Sequence, residues 1–304
     1  MNKKILLATL IAFMTPTVAC MAQAQTPNLQ ELQKQADTGD AEAQNNLGTL
    51  YYNGQGVKQD YAQALIWFIK AAEQGNVLAQ YNIANMYDFG IGVKQDYAKA
   101  LTFYTKAADQ GDSISQYNIG VMYQTGKGVR QDDAQAVTWF QKAADQGLDR
   151  AQNNIGYAYL KGIGAPKDPA KAVEWFQKSA AQNFALAQGN LGDMYYHAEG
   201  VKQDYAEALK WYKLAADNGN AGAQYNVGNM YIEGKGVKPD DAIAFEWLMK
   251  AAKQGLSAAQ YNVGVMYAKG KGTKQDETQS REWLQKAADQ GDDLAKKALE
   301  SFKK

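Results

Sequence analysis

Apolar residues recur along the chain at helical spacing, and the pattern itself returns every 36 residues. Seven copies follow one another without insertion or deletion, at 41–76, 77–112, 113–148, 149–184, 185–220, 221–256 and 257–292. In the first half of a copy the apolar positions are 3, 7, 10 and 11, with a small residue at 8, as in Ala43, Leu47, Leu50, Tyr51 and Gly48. In the second half they are 24, 27, 28, 31 and 32, as in Ala64, Trp67, Phe68, Ala71 and Ala72. Steps of three and four put each set on one face of a helix. Each copy is therefore expected to be two antiparallel helices, A over about positions 2 to 12 and B after an Asp N-cap at position 20. Asp168-Pro169 shows that start most clearly, with Pro at the first helical position. A G-x-G loop such as Gly54-Gln55-Gly56 reverses the chain between them, and Gly75 and its equivalents, or Asn183, end helix B.

Several columns do not vary. Position 4 is always Gln, position 6 Asn, position 11 Tyr, position 16 Gly and position 20 Asp. Position 27 holds all six tryptophans, with Phe103 in the second copy, so Trp175 in the central copy is expected to pack against its neighbours. A two-helix unit cannot cover both of its apolar faces, whereas stacked units cover one another. The ends should then differ from the middle. Residues 25–40 are expected to form an N-terminal capping helix that resembles helix B alone, with Leu32 and Ala36 inward. Residues 293–304 should form a C-terminal capping helix that resembles helix A, with Lys296 and Glu300 among its polar replacements.

The blocks Ala-Gln-Tyr-Asn-Val-Gly-Asn-Met-Tyr (223–231), Gly-Lys-Gly-Val (234–237) and Lys-Ala-Ala-Asp-Gln-Gly (106–111) resemble the Sel-one-like repeat family, relatives of the tetratricopeptide repeats. The likeness runs from residue 29 to residue 303. It implies an all-α fold, a right-handed α-solenoid of seven helix-loop-helix repeats with half-repeat caps. It also implies a protein or peptide ligand held on a concave face built from the A helices.

Charge and the N-terminus narrow the setting. The 32 basic residues balance the 32 acidic ones and no basic block occurs, so a nucleic-acid surface is not expected. Lys3 and Lys4, the apolar run Ile5 to Met14 and the small-x-small site Ala22-Gln23-Ala24 read as a signal peptide over 1–24, cleaved before Gln25. Ten apolar residues cannot span a bilayer core, which takes about 20 in helical form. The chain is thus expected in the periplasm or secreted, as a monomer without a transmembrane segment. Thr17-Val18-Ala19-Cys20 resembles a degenerate lipobox, and the alternative is a lipoprotein acylated at Cys20.

Little of the remaining sequence points to chemistry. His197 is the sole histidine and Cys20 the sole cysteine, so neither a zinc cluster nor a Cys/His nucleophile is expected. No cofactor, metal or catalytic residue is assigned. Asp132-Asp133 and Asp240-Asp241 are read as N-cap pairs. The G-x-G loops have neither a third glycine nor a following Lys-Ser/Thr, and are read as turns rather than phosphate cradles. The expected role is a non-enzymatic scaffold, adaptor or inhibitor, with immunity against a secreted toxin as a special case of the family. The alternative is a hydrolase of the disulfide-braced, β-lactamase-labelled branch, whose cysteines are missing here.

The candidate partner-binding residues lie on helix A. At about 100° per residue, positions 4, 7 and 11 share one side, and position 6 falls opposite, among 2, 9 and 13. The column Asn82, Asn118, Asn154, Asn190 and Asn226 either bonds to the backbone of the neighbouring repeat or grips an extended peptide. Specificity is expected where copies differ on that face. Position 5 gives Tyr81, Tyr117, Tyr225 and Tyr261; position 9 gives Tyr157 and Asp193; positions 12 and 13 give Tyr196 and His197. These tyrosines are expected to be exposed.

Overall fold

The computed structural model describes residues 29–302; the expected signal peptide, its cleavage site and Cys20 lie outside the described residues. Among the described residues there are sixteen helices and no strand. None of these helices is long and apolar enough to cross a membrane. The chain divides into two compact units, the first ending at Gln74 and the second beginning at Gly75.

The first unit holds α1 (Leu29–Asp37), α2 (Ala41–Asn53) and α3 (Tyr61–Glu73). Leu32 and Ala36 of α1 join Ala43, Leu47 and Trp67 in one core, so the half-repeat covers the first A helix as expected. The second unit alternates A and B helices: α4 (Val77–Phe89), α5 (Tyr97–Asp109), α6 (Ser113–Thr125), α7 (Asp133–Asp145), α8 (Asp149–Lys161) and α9 (Pro169–Ala180). It continues with α10 (Ala185–His197), α11 (Tyr205–Asp217), α12 (Ala221–Glu233), α13 (Asp241–Lys253), α14 (Ser257–Lys269), α15 (Glu277–Asp289) and the closing A-type α16 (Asp293–Ser301). Within each unit consecutive helices pack on one another, the arrangement of an all-α repeat solenoid. The A helices run over positions 1 to 13, one residue longer at each end than the periodicity suggested.

Capping follows the sequence. In every B helix the Asp at position 20 has φ near −150°, and its carboxylate accepts N–H bonds from the first turn. The invariant Gln of position 4 is a bolt between repeats. Gln152 Nε2 donates to the Ala144 carbonyl of the preceding B helix at 3.3 Å, and its Oε1 accepts from Gln182 at 2.9 Å. Gln116, Gln188, Gln224 and Gln260 repeat the arrangement.

Position 28, not the tryptophan column, fills the middle of each repeat. Phe68, Tyr104, Phe140, Phe176, Tyr212, Leu248 and Leu284 are each 2% exposed or less. The small residue of position 8, glycine in every copy but the second, which has Ala84, makes room for them: a Cβ on Gly156 would stand 2.7 Å from the Phe176 ring, and one on Gly120 2.6 Å from Phe140. Trp175 packs against the Phe140 cluster but stays half-buried, with Lys178 Nζ 3.8 Å from its ring centroid. Lys142, Lys250 and Lys286 cover Trp139, Trp247 and Trp283 at 3.8 to 4.0 Å. Except at Trp211, where Leu214 stands in that place, the indole column is therefore a seam sealed by lysines three residues on, where alkyl stem and ammonium both find the ring.

Candidate functional site on the A helices

The A-helix face of the second unit is built around the hydroxyl and amide groups of positions 5, 6, 9 and 28. The asparagine column reaches back to side chains of the preceding repeat, which corrects the expectation of a backbone bond. Asn118 bonds to the Tyr104 hydroxyl, Asn154 to that of Tyr117 and Asn226 to that of Tyr212. Asn190 Nδ2 donates to Asn153 Oδ1 at 2.9 Å, and Asn262 Nδ2 to Asn229 Oδ1 at 3.1 Å. Asn82, Asn118, Asn154, Asn190 and Asn226 are all half-buried. A column that spends bonding capacity between repeats spaces the face as well as lining it.

The tyrosines of position 5 are half-buried rather than exposed. Tyr81 lies 6.2 Å from Tyr104 and Tyr117 5.4 Å from Phe140, centroid to centroid. Tyr225 and Tyr261 lean on the cores beneath them. Helix geometry explains this, because position 5 borders position 8, whose small residue draws the position-28 ring close. Loss of solvent raises the Tyr117 hydroxyl above its ordinary range. Tyr157 is half-buried against the fourth and fifth repeats, with Lys161 Nζ 5.9 Å from its ring.

Repeat five gathers the most unusual set. Asp193 accepts the Tyr212 hydroxyl at 2.5 Å while remaining exposed as a residue. Loss of solvent raises its carboxyl above the usual range, against the Tyr212 bond and nearby His197 and Lys161, which lower it; Glu199 raises it further. His197 is exposed, its ring 4.8 Å from that of Tyr196. From the next repeat, Lys235 Nζ donates to the Tyr196 hydroxyl at 2.5 Å and pairs with Glu233 at 2.8 Å. The same ammonium stands 4.8 Å from the Tyr196 ring and 5.5 Å from that of Tyr205, and these hydrogen bonds raise its pKa. After His197 the chain turns through Ala198 in the left-handed conformation, φ 60°, where the other copies have glycine. Among the described residues no group of three or more His, Cys, Asp or Glu side chains is placed to hold a metal ion.

Sequence reasoning thus found Asp193, Tyr196 and His197 but missed Tyr104, Tyr212 and Lys235. The signal for the tyrosines was present: position 28 is Phe or Leu elsewhere, and a buried phenol needs a partner for its hydroxyl. Repeat two shows the same solution, with Tyr104 donating to Asn85 at 2.6 Å and to Asp88 at 3.2 Å.

The Sel1 repeat family model matches all seven copies, over 41–76, 77–112, 113–148, 149–184, 185–220, 221–256 and 257–292. The chain belongs to the Sel1 repeat family. It is similar to a Sel1 repeat protein from Oxalobacter formigenes, 36% identical, with a TM-score of 0.78 over 90% of this chain and 79% of that one. It is also similar to a protective antigen of uropathogenic Escherichia coli that displays an SLR fold, 36% identical, TM-score 0.53, covering 90% of this chain and 67% of that one. No curated protein matches it. A Sel1-repeat array is a scaffold suited to protein–protein interaction, its function residing in side chains set on a common frame.

Proposed function

We propose that this Sel1-repeat chain is a non-enzymatic binding protein of the periplasm that holds a protein partner on its A-helix face. One observation carries the reading: aromatic and amide side chains gather on that face and differ from copy to copy. The exposed positions of the B helices carry mostly alanine, threonine, glutamine, lysine and acids, with Ile66, Ile69 and Leu214 as exposed large apolar residues among them. Tyr157, Tyr196, His197, Tyr225 and Asp193 are rigid or charged contact residues on a packed base, the composition of a recognition surface. As adaptor, inhibitor or immunity protein, the chain would use the same face.

Photo-crosslinking in the producing cell tests the assignment. A benzophenone amino acid at His197 should capture a discrete protein, and the same probe at Gln177 on the B helix should not. Capture from Gln177 alone would place the partner surface on the wrong helices. Export is proposed on the residues of 1–24, and mass spectrometry of the mature chain should begin at Gln25. Diacylglycerol on Cys20 would replace this with a membrane-anchored form.

A further inference from the structure

Glycine weakens a helix interior unless something there needs its small size. Six A-helix glycines have that reason: a Cβ on Gly48, Gly120, Gly156, Gly192, Gly228 or Gly264 would come within 3.0 Å of the position-28 side chain. Gly189, in the middle of α10, has none. Its backbone is helical, and an added Cβ would meet nothing within 4 Å. It occupies position 5, where four copies carry Tyr81, Tyr117, Tyr225 and Tyr261 and two carry Asn45 and Asn153.

Repeat three shows what is missing. Tyr117 leans on the Phe140 ring, centroids 5.4 Å apart. From the next repeat, the Asn154 amide bonds to its hydroxyl and the Arg150 guanidinium lies 5.7 Å from its ring. Two repeats further along, the corresponding residues are Gly189, Tyr212, Asn226 and Gly222. The base ring and the amide are kept, while the central ring and its cover are both reduced to glycine. A Cβ on Gly222 would meet only Asn220 Oδ1, the cap of its own helix, at 3.3 Å. A tyrosine base does not exclude the position-5 ring, since Tyr81 and Tyr104 stand together in repeat two, 6.2 Å apart. The space is thus a recess, with half-buried Gly189 at its bottom, buried Tyr212 beneath and exposed Leu186 one turn away on α10.

We infer that this recess receives an aromatic side chain of the protein partner, tyrosine foremost, in the place that Tyr117 fills from within its own chain. The inference rests on the A-helix face being the partner surface. A ring seated over Tyr212 would gain the tilted contact that aromatic pairs prefer, and Asn226 stands where Asn154 meets a hydroxyl. Tyrosine also brings a large contact area at little loss of side-chain freedom, which makes it an effective interface anchor.

The fold supplies its own plug for the test. Gly189→Tyr restores the residue of four sister repeats and should raise the urea midpoint, as should Gly189→Ala, because each removes a helix-interior glycine. Random peptides displayed on phage and selected on the purified parent protein should carry an aromatic residue that alanine cannot replace. Their affinity should fall about tenfold or more on Gly189→Tyr and stay near the parent's on Gly189→Ala, whose methyl leaves the recess open. A Gly189→Tyr midpoint below the parent's would show that neighbours already fill the space. Peptides that need no aromatic residue, or that bind Gly189→Tyr as tightly as the parent, would show that it is not used. Any of these results overturns the inference. If peptides that ignore Gly189→Tyr were lost on His197→Ala, the wider A-helix reading would survive; indifference to both changes would sink the two together.

Discussion

Asp193 and Ala198 are among the residues at which repeat five departs from the pattern of its neighbours, and each of these departures has a measurable cost. An alanine at φ 60° carries about 1 to 2 kcal/mol of steric strain. Ala198→Gly should therefore stabilise the protein by about 1 kcal/mol, less the greater freedom of glycine in the unfolded chain, read from urea unfolding. A midpoint that does not move would mean the loop has relaxed by other means. Asp193 makes stability depend on pH. Its folded carboxyl is raised above the unfolded value, so between the two values the folded state binds more protons, and stability falls as pH rises through that window. Tyr212, His197, Glu199 and Lys161 face the same carboxylate and set how wide the window is. Asp193→Asn should be more stable than the parent at neutral pH, with the advantage shrinking toward pH 3.8, the ordinary aspartate value. A pH-independent difference would locate the effect elsewhere.

Between helices, a glycine and a glutamine do work that no apolar pattern displays. Position 16 meets the first turn of the preceding B helix: a Cβ on Gly128 would stand 2.7 Å from the Tyr97 carbonyl oxygen, and one on Gly164 would collide with that of Asp133. Gly147, at the end of α7, also has positive φ but nothing within 4 Å of an added Cβ. Alanine at both sites separates the two costs. Gly147→Ala should lose about 1 to 2 kcal/mol for backbone strain alone. Gly164→Ala should lose more, because it also forces two repeats apart. Equal losses would show that the inter-repeat contact yields freely. The buried Gln152 bonds both its own repeat and the one before. Gln152→Leu should cost about 1 to 3 kcal/mol, the penalty for stranding buried polar partners, even though it adds apolar surface.

Through the second unit packing passes from each helix to the next, so damage should stay local. Phe176 is fully buried in repeat four, and Phe176→Ala should cost about 3 to 5 kcal/mol. Half-buried Trp175 should cost less when cut to alanine, which reverses the ranking its conspicuous column suggests. With repeat four weakened, denaturation followed by circular dichroism and by tryptophan fluorescence should cease to coincide, as the two sides of the lesion unfold apart. A single coincident transition for Phe176→Ala would mean coupling reaches further than nearest neighbours.

The sequence by itself determined what depends on short-range periodicity. Helix spacing, Asp caps, glycine stops and the 36-residue repeat are local signals copied seven times, so α1 to α16 and their order could be read from residues 29–302 with ends wrong by about a residue. It also marked Asp193, Tyr196 and His197, because departures from an internal consensus show without any structure. Tertiary structure alone decided which columns carry the core and where polar side chains spend their bonds. Positions 27 and 28 are both apolar neighbours on the B-helix face, and only the approach of glycine 8 from the A helix shows that 28 is enclosed while 27 is sealed by lysine. The position-5 tyrosines likewise looked like free surface, and the Asn column left a structural bond and a ligand grip both open. The Asn column and Lys235 meet partners 14 to 39 residues away in neighbouring repeats, and the tyrosines pack on the position-28 ring across the helix pair of their own repeat, contacts no local pattern encodes.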